Sequence, residues 1–261
     1  MATLTTTFQS EELKRNVTFA AIIPTSTKSL YDYETKAETK PEGFKTLYLL
    51  NGWNGNHEDW IINSSIVKLA EQYNLAVIMP AGENSFYVDL EDGSNYGKFI
   101  GEELVNVTRN LFPLSTKRED TFIGGLSMGG YGALRNGYVY NETFGKIIGL
   151  SSSVLHKNDQ VHDLSEENAI NKKLKFIIQS DTFAGMDDSI DLYQVIEHAK
   201  TKPDLFLAIG TEDFLYEENS LLREWLEEEK IAHHYVEAPG EHNWKFWDMI
   251  IEHAIEWIYE N

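Results

Sequence analysis

The 261-residue sequence predicts an α/β domain: a mainly parallel sheet with helices on both faces and two antiparallel strands at its N-terminal edge. Three observations carry that expectation. From Lys45 onward, short apolar runs alternate with longer helix-like ones, as in parallel strands joined by right-handed helical crossovers. Before it, two strand-like segments are joined only by a tight turn at Lys14-Arg15, which pairs them antiparallel. Further on, an apolar run at 121–123 ends in a glycine-rich turn that leads directly into a helix-compatible stretch from Tyr131. A chain of this length can bury one substantial core. Residues 1–261 therefore read as a single domain, with a small cap-like insertion at about 154–200.

Each element has its own local signal. Strands are expected at 6–13 and 16–24, the second containing the apolar run Phe19-Ala20-Ala21-Ile22-Ile23. Residues 31–43 are polar, charged and closed by Pro41 and Gly43, a surface loop. A buried strand at 45–50 runs into the glycine-rich turn 51–57. A helix over 58–73 would place Ile61, Ile62, Ile66, Leu69 and Ala70 roughly on one face. The strand at 75–79 is halted by Pro80, and 80–97 is a loop rich in Gly, Asn and aromatics. A helix over 97–112 stops at Pro113, and strand returns at Lys146–Leu150. Between 151 and 202 the pattern weakens: loop with short helical pieces over 156–173, an apolar run of undecided type at 176–178, and a helix over 188–200. Strand Asp204–Gly210, a helix over 217–229, strand His234–Ala238 and a last helix over 243–259 complete the chain.

Composition narrows the function. With 42% hydrophobic and 25% charged residues the chain is an ordinary globular one. A formal net charge of -20 disfavours nucleic acid and anionic membrane surfaces as partners. There is no cysteine, hence no disulfide, thiolate metal site or thiol nucleophile. The N-terminus has neither the basic region nor the apolar core of a signal peptide, and no apolar run approaches a membrane span. A cytoplasmic location is the expectation, and homo-oligomer formation stays open. No cofactor is expected, because no glycine-rich phosphate or dinucleotide motif has its proper partners. No metal is expected either: Asp187-Asp188 lacks calcium-loop spacing, and Glu227-Glu228-Glu229 reads as a solvated helix face.

The chemistry centres on Gly125-Leu126-Ser127-Met128-Gly129, a GxSxG pattern between strand and helix. This is the nucleophile elbow of α/β-hydrolases, in which a strand reverses into a helix within one residue and lifts a serine hydroxyl above the sheet edge. A serine needs a base within hydrogen-bond reach, and the base needs a carboxylate to fix its tautomer. Functional groups in parallel sheets gather at the carboxyl ends of strands. Of eight histidines, only His242 comes after the last strand in a short turn. His233 and His234 sit at a strand entry, His198 and His253 lie inside helices, and His57, His156 and His162 are misplaced in chain order. Asp213 closes its strand and is the favoured acid, with Glu212 beside it and Asp181, Asp187 and Asp188 as further rivals. The backbone N–H groups of Met128 and Trp53 are the expected donors to a developing oxyanion. Bulky residues near these turns, Trp53, Phe86, Tyr87 and Trp244, are the expected substrate-binding wall.

Three motifs, Thr121 to Gly132, Gly210 to Asn219 and Gly240 to Trp247, resemble those of the tributyrin esterases of Gram-positive bacteria. That family lies within the esterase D group, beside S-formylglutathione hydrolases, feruloyl and acetylxylan esterases and mycolyltransferases. The resemblance runs from about Lys45 to the C-terminus and is weakest between Ser153 and Lys202. It implies an α/β-hydrolase fold with Ser127 as nucleophile, Asp213 as acid, His242 as base and Trp53 and Met128 as amide donors. Phe86-Tyr87-Val88-Asp89 matches the group's aromatic-Tyr-x-Asp segment. The chain departs at Asn51-Gly52, where the group usually has His-Gly. The expected activity is that of a serine carboxylesterase on small-molecule esters with acetyl to butyryl acyl chains, in aryl, glyceryl or acylated-sugar esters. An acyltransferase using the same acyl-enzyme, or a non-catalytic binding protein on a hydrolase fold, are the alternatives.

Overall fold

The structure, a computed structural model, describes residues 1–25, 42–159 and 164–260. Among these, strands β1 (Ala2–Gln9), β2 (Asn16–Ile23), β3 (Thr46–Leu50), β4 (Ala76–Pro80), β5 (Thr121–Leu126), β6 (Lys146–Leu150), β7 (Asp204–Gly210) and β8 (His234–Ala238) form one sheet. Their order across it is β1-β2-β4-β3-β5-β6-β7-β8. β1 pairs antiparallel with β2, and β2 antiparallel with β4; every later pairing is parallel. Strands β3, β4 and β5 are buried along their whole length, which is why they read as unbroken apolar runs rather than alternating ones.

Both faces carry helices, as the alternation predicted. Side chains leave successive strand residues to opposite sides. Tyr48, Ile78, Ile123 and Ile147 meet Leu104 of helix α4 (Leu104–Leu111), Tyr131 and Leu134 of α5 (Met128–Val139) and Leu222 of α8 (Tyr216–Glu228). Leu47, Val77, Phe122 and Ile148 meet Leu69 of α2 (Ile66–Tyr73) and Ile250, Ile251 and Ile255 of α9 (Trp244–Tyr259). Because β3 and β5 to β8 run parallel, their carboxyl ends share one edge. The turns at 51–57, 127, 151–153, 211–213 and 239–242 all open there.

Several expected boundaries shift. The first strand is Ala2–Gln9, not 6–13, because residues 10–15 are spent on a turn. There Ser10 N–H donates to the Arg15 carbonyl at 2.9 Å, and the Ser10 hydroxyl oxygen accepts from Leu13 N–H at 3.0 Å. Leu13, expected in a strand, tucks into the core from that turn. The helix expected over 58–73 is broken into α1 (Asp59–Asn63) and α2. Ser64 donates its hydroxyl to the Trp60 carbonyl, while Asp248 of α9 accepts from both N–H and hydroxyl of Ser65. The break turns Ile62 away from its expected face, and it is 70% exposed.

The 97–112 helix is present as α3 (Tyr96–Lys98), a π turn at Phe99–Glu103 and α4. In the weakly patterned stretch, 169–173 is one of the helical pieces expected there, and it runs on to 178. Asn168 caps α6 (Ala169–Ile178) by accepting from Asn171 N–H, so the apolar run at 176–178 is the end of that helix. The helix expected over 188–200 is the shorter α7 (Leu192–His198), started by Asp191, whose carboxylate accepts from Gln194 N–H. The loop expected at 31–43 lies, except for its last two positions, outside the described residues, as does His162.

Candidate active site

Ser127 sits between β5 and α5 with φ 55° and ψ -121°, in the left-handed region that a serine rarely occupies. The flanking sequence makes that geometry attainable. A Cβ on Gly125 would stand 2.3 Å from the Gly129 carbonyl oxygen, and one on Gly129 would stand 2.6 Å from the Asn51 carbonyl oxygen. Only glycines let the two turns close this tightly. Ser127 N–H donates to the Leu150 carbonyl at 2.9 Å, while its own carbonyl accepts from Tyr131 and Ser153 N–H at 3.1 and 3.2 Å. The elbow is thus held from β6 as well as from its own helix.

The structure brings Ser127, His242 and Asp213 together. His242 Nε2 lies 2.9 Å from Ser127 Oγ, and its Nδ1 lies 2.9 Å from both Asp213 carboxylate oxygens. The Asp213 side chain is wholly buried, and its Oδ1 also accepts from Leu215 N–H at 2.9 Å. An ionised Asp213 fixes the proton on Nδ1, which leaves Nε2 to accept the serine proton. The imidazole is flanked by rings: Phe214 at 4.4 Å and Trp247 edge-on at 4.9 Å, between centroids. Trp247 in turn donates its indole N–H to Ser151 Oγ at 3.1 Å.

The rival groups lie elsewhere. Glu212 is exposed and staples the turn that carries His242, accepting from Gly240 N–H at 2.5 Å and from the Thr211 hydroxyl. Those bonds, the Gly240 amide first, hold its carboxyl below the usual range. Asp187 accepts from Ser189 N–H, and Asp188 pairs with Lys157. Among the histidines, His198 and His233 bond main-chain carbonyls through Nδ1, His234 stacks on Phe206 and His156 meets Tyr193.

On the other side of Ser127 stands the turn after β3. A Cβ placed on Gly52 would lie 3.5 Å from Ser127 Cβ, so this turn abuts Ser127. The N–H groups of Trp53 and Met128 make no hydrogen bond among the described residues, and both residues line the cavity that Ser127 faces. Two such amides beside a serine, that of Met128 at the start of α5 and that of Trp53 in the turn after β3, can accept a developing negative charge. Asn51 supports the turn through its side chain. Its Nδ2 donates to the Gly52 carbonyl at 2.8 Å, and its Oδ1 accepts from Gly82 N–H at 3.0 Å. Asn54 and Asn84 exchange two more bonds between the same loops.

The cavity has a volume of about 480 Å³. Trp53, Phe86 and Trp244 line it as expected, with Phe86 packed against Trp53 and Tyr131. Tyr87 does not line it. Its ring is fully buried behind the wall, with the hydroxyl donating to the Asn51 carbonyl at 2.9 Å, and burial drives that phenol well above its ordinary pKa. Several wall residues escaped the sequence reading. Leu155, Ile170, Leu174 and Phe183, from the stretch expected to be cap-like, close one side, and Phe214 and Trp247 another. Phe214 and Trp247 fall inside the second and third motifs, so a signal was there. Ile170 and Leu174 carried one as well: with Ile177 and Ile178 they recur at i, i+4, i+7 and i+8 along α6, a helical period that the polar residues between them obscure, whereas Leu155 stands alone and shows none. Asp59, at the start of α1, completes the lining. Among the described residues no cluster of His, Asp or Glu suits a metal ion, and no helix is long and apolar enough to cross a membrane.

Known proteins resemble this chain in sequence and fold. The family described as "Putative esterase" matches residues 10–257. The chain is 41% identical over 264 residues to an acetyl esterase of Caldicellulosiruptor saccharolyticus, covering 99% of this chain and 98% of that protein. Two solved structures from Staphylococcus aureus resemble it closely. The fluorophosphonate-binding serine hydrolase F superposes with a TM-score of 0.85 at 28% identity, covering 100% of this chain and 99% of the other. An S-formylglutathione hydrolase gives 0.82 at 28% identity, with 99% of each chain covered. A ferulic acid esterase at 17% identity, TM-score 0.78, shares the fold, covering 98% of this chain and 96% of the other.

Proposed function

The chain belongs to this esterase family and is a carboxylic ester hydrolase of α/β-hydrolase fold, and on that premise we propose that it is a serine esterase for short acyl chains, acetyl to butyryl, working through an acyl-enzyme on Ser127. The single observation that carries this reading is the run of 2.9 Å contacts from Ser127 through His242 to Asp213 at the floor of an apolar cavity.

On this reading, Ser127 Oγ attacks the ester carbonyl carbon while His242 Nε2 takes the hydroxyl proton. The carbonyl oxygen becomes an oxyanion and meets the amides of Trp53 and Met128, donors fixed before the charge develops. Collapse of the tetrahedral adduct breaks the bond to the alcohol oxygen, and the imidazolium returns its proton to that oxygen. The alcohol leaves. A water then attacks the acyl-Ser127 carbonyl, His242 again taking the proton; the second adduct breaks its bond to Ser127 Oγ, which takes that proton back from His242, and the carboxylic acid departs. Asp213 stays ionised throughout and stabilises the imidazolium.

The acetyl esterase relative favours acetyl esters as the first substrates to try, with acylated sugars, aryl esters and glyceryl esters such as tributyrin alongside. The reading includes a single domain with residues 154–200 as its cap, and a cytoplasmic location. It is tested by hydrolysis of p-nitrophenyl esters of increasing chain length together with labelling by a fluorophosphonate. Turnover with a covalent adduct on Ser127 is expected; a folded, inert protein that takes no label would leave a binding protein on a hydrolase fold.

A further inference from the structure

We propose that the cavity in front of Ser127 selects esters whose alcohol part carries a quaternary ammonium group, held by the Asp59 carboxylate and the surrounding aromatic rings. The proposal rests on Ser127 being the nucleophile, and adds to it a substrate class by charge.

Among the described residues that line the cavity, Asp59 and His242 are the only titratable ones, and no lysine or arginine is among them. His242 is engaged with Ser127 and Asp213, which leaves Asp59 as the one fixed charge facing the substrate. No lysine or arginine among the described residues pairs with it; its carboxylate receives a backbone hydrogen bond from Asn56, and its chain neighbours His57 and Glu58 act on it in opposite directions. Burial, the largest influence, pushes its pKa up and outweighs the opposing pulls of the Asn56 amide and His57. The turn before it makes room for the group. A Cβ on Gly55 would stand 2.1 Å from Asp59 Oδ2, so any larger residue would displace the carboxylate.

The rest of the lining suits the same ligand. Trp53, Phe86, Phe214, Trp244 and Trp247 present aromatic surface around one acid. An ammonium bearing methyl groups spreads its charge over an apolar surface and binds aromatic faces well, whereas a primary ammonium would have to surrender strong hydration to an apolar wall. An acetyl group fills little of the about 480 Å³ available, so the alcohol portion is what meets this lining. The net charge of -20 adds a long-range field that concentrates cations and repels anionic esters.

The test compares two acetyl esters of nearly the same shape: acetylcholine, and 3,3-dimethylbutyl acetate, in which carbon replaces the charged nitrogen. In the wild-type enzyme at low ionic strength, kcat/KM should favour the cationic ester on the order of tenfold, and the preference should shrink as salt is added. In Asp59→Asn the ratio should fall towards one, and in Asp59→Glu it should largely survive, whatever either change does to turnover as a whole. A ratio of one or below in the wild type, or an unchanged ratio in Asp59→Asn, overturns the proposal while leaving the esterase reading intact. Should the wild type hydrolyse neither ester nor p-nitrophenyl acetate, the esterase reading itself fails and takes this one with it.

Discussion

The Tyr87 hydroxyl donates to the Asn51 carbonyl at 2.9 Å and lies 3.1 Å from the Asn51 side-chain oxygen. A fully buried phenol thereby holds the turn that runs past Ser127 to Trp53. Tyr87→Phe would leave the Asn51 oxygens one donor short in a site closed to water, a loss of about 1–3 kcal/mol. Denaturant unfolding should register that loss, and kcat should fall more than KM rises, because the loosened turn serves the transition state more than substrate binding. A variant with wild-type stability and kcat would show that the hydroxyl supports nothing.

Ser127→Ala should abolish turnover, by at least about 10⁴-fold, while circular dichroism and the unfolding midpoint stay close to wild type. The same variant should take no mass adduct from a fluorophosphonate. Activity near wild type in the purified variant would end the assignment of Ser127.

Asp213→Asn should cost up to about 10⁴-fold in kcat, because an amide at Nδ1 favours the wrong imidazole tautomer. Glu212→Gln should leave kcat within a few-fold, since its carboxylate faces Gly240 and Thr211 rather than His242. The opposite ranking of the two variants would mean that the acid is Glu212.

Glu212 nonetheless has a stability signature with a definite sign. Its carboxyl is held below the ordinary glutamate range in the folded protein, by the Gly240 amide first and the Thr211 hydroxyl next. A group whose pKa is lowered by folding contributes stability above its unfolded pKa and loses it as pH falls through the folded one. The wild type should therefore exceed Glu212→Gln in thermal midpoint at neutral pH, and that margin should shrink as the pH drops below the usual glutamate range. A margin that grows on acidification would contradict the lowered pKa.

Acyl chain length should show an optimum from acetyl to butyryl. Each methylene that fits adds about 0.8 kcal/mol of apolar burial, while pressing further ones against the wall costs roughly 1–3 kcal/mol. Leu155, Leu174 and Phe183 bound the cavity on the side where sequence reading expected only a cover of unknown lining. A steep fall in kcat/KM by octanoyl is expected across the p-nitrophenyl series. Faster hydrolysis of a palmitoyl ester than of the butyryl ester would point to a lipase instead.

The sequence by itself determined the sheet and pointed to the serine and histidine of the candidate site. Fully buried parallel strands must be unbroken apolar runs, and a strand that turns into a helix in one residue must carry glycines on both sides of that residue, so β3, β5 and the elbow are written locally. Chain order along the sheet edge then pointed to His242 and to the pair Glu212-Asp213, of which the structure sets only Asp213 against the imidazole. Only the tertiary structure decided the walls. The break between α1 and α2 is made by Asp248 of α9, 183 positions from Ser65, and Tyr87 leaves the cavity because a carbonyl 36 positions away accepts its hydroxyl. Asp59 faces the cavity, with no lysine or arginine in the lining, because the 51–57 turn folds back on Ser127. Such contacts depend on which segments the sheet brings side by side, and a hydrogen bond or a packed ring between distant segments leaves no period in the chain for a local pattern to show.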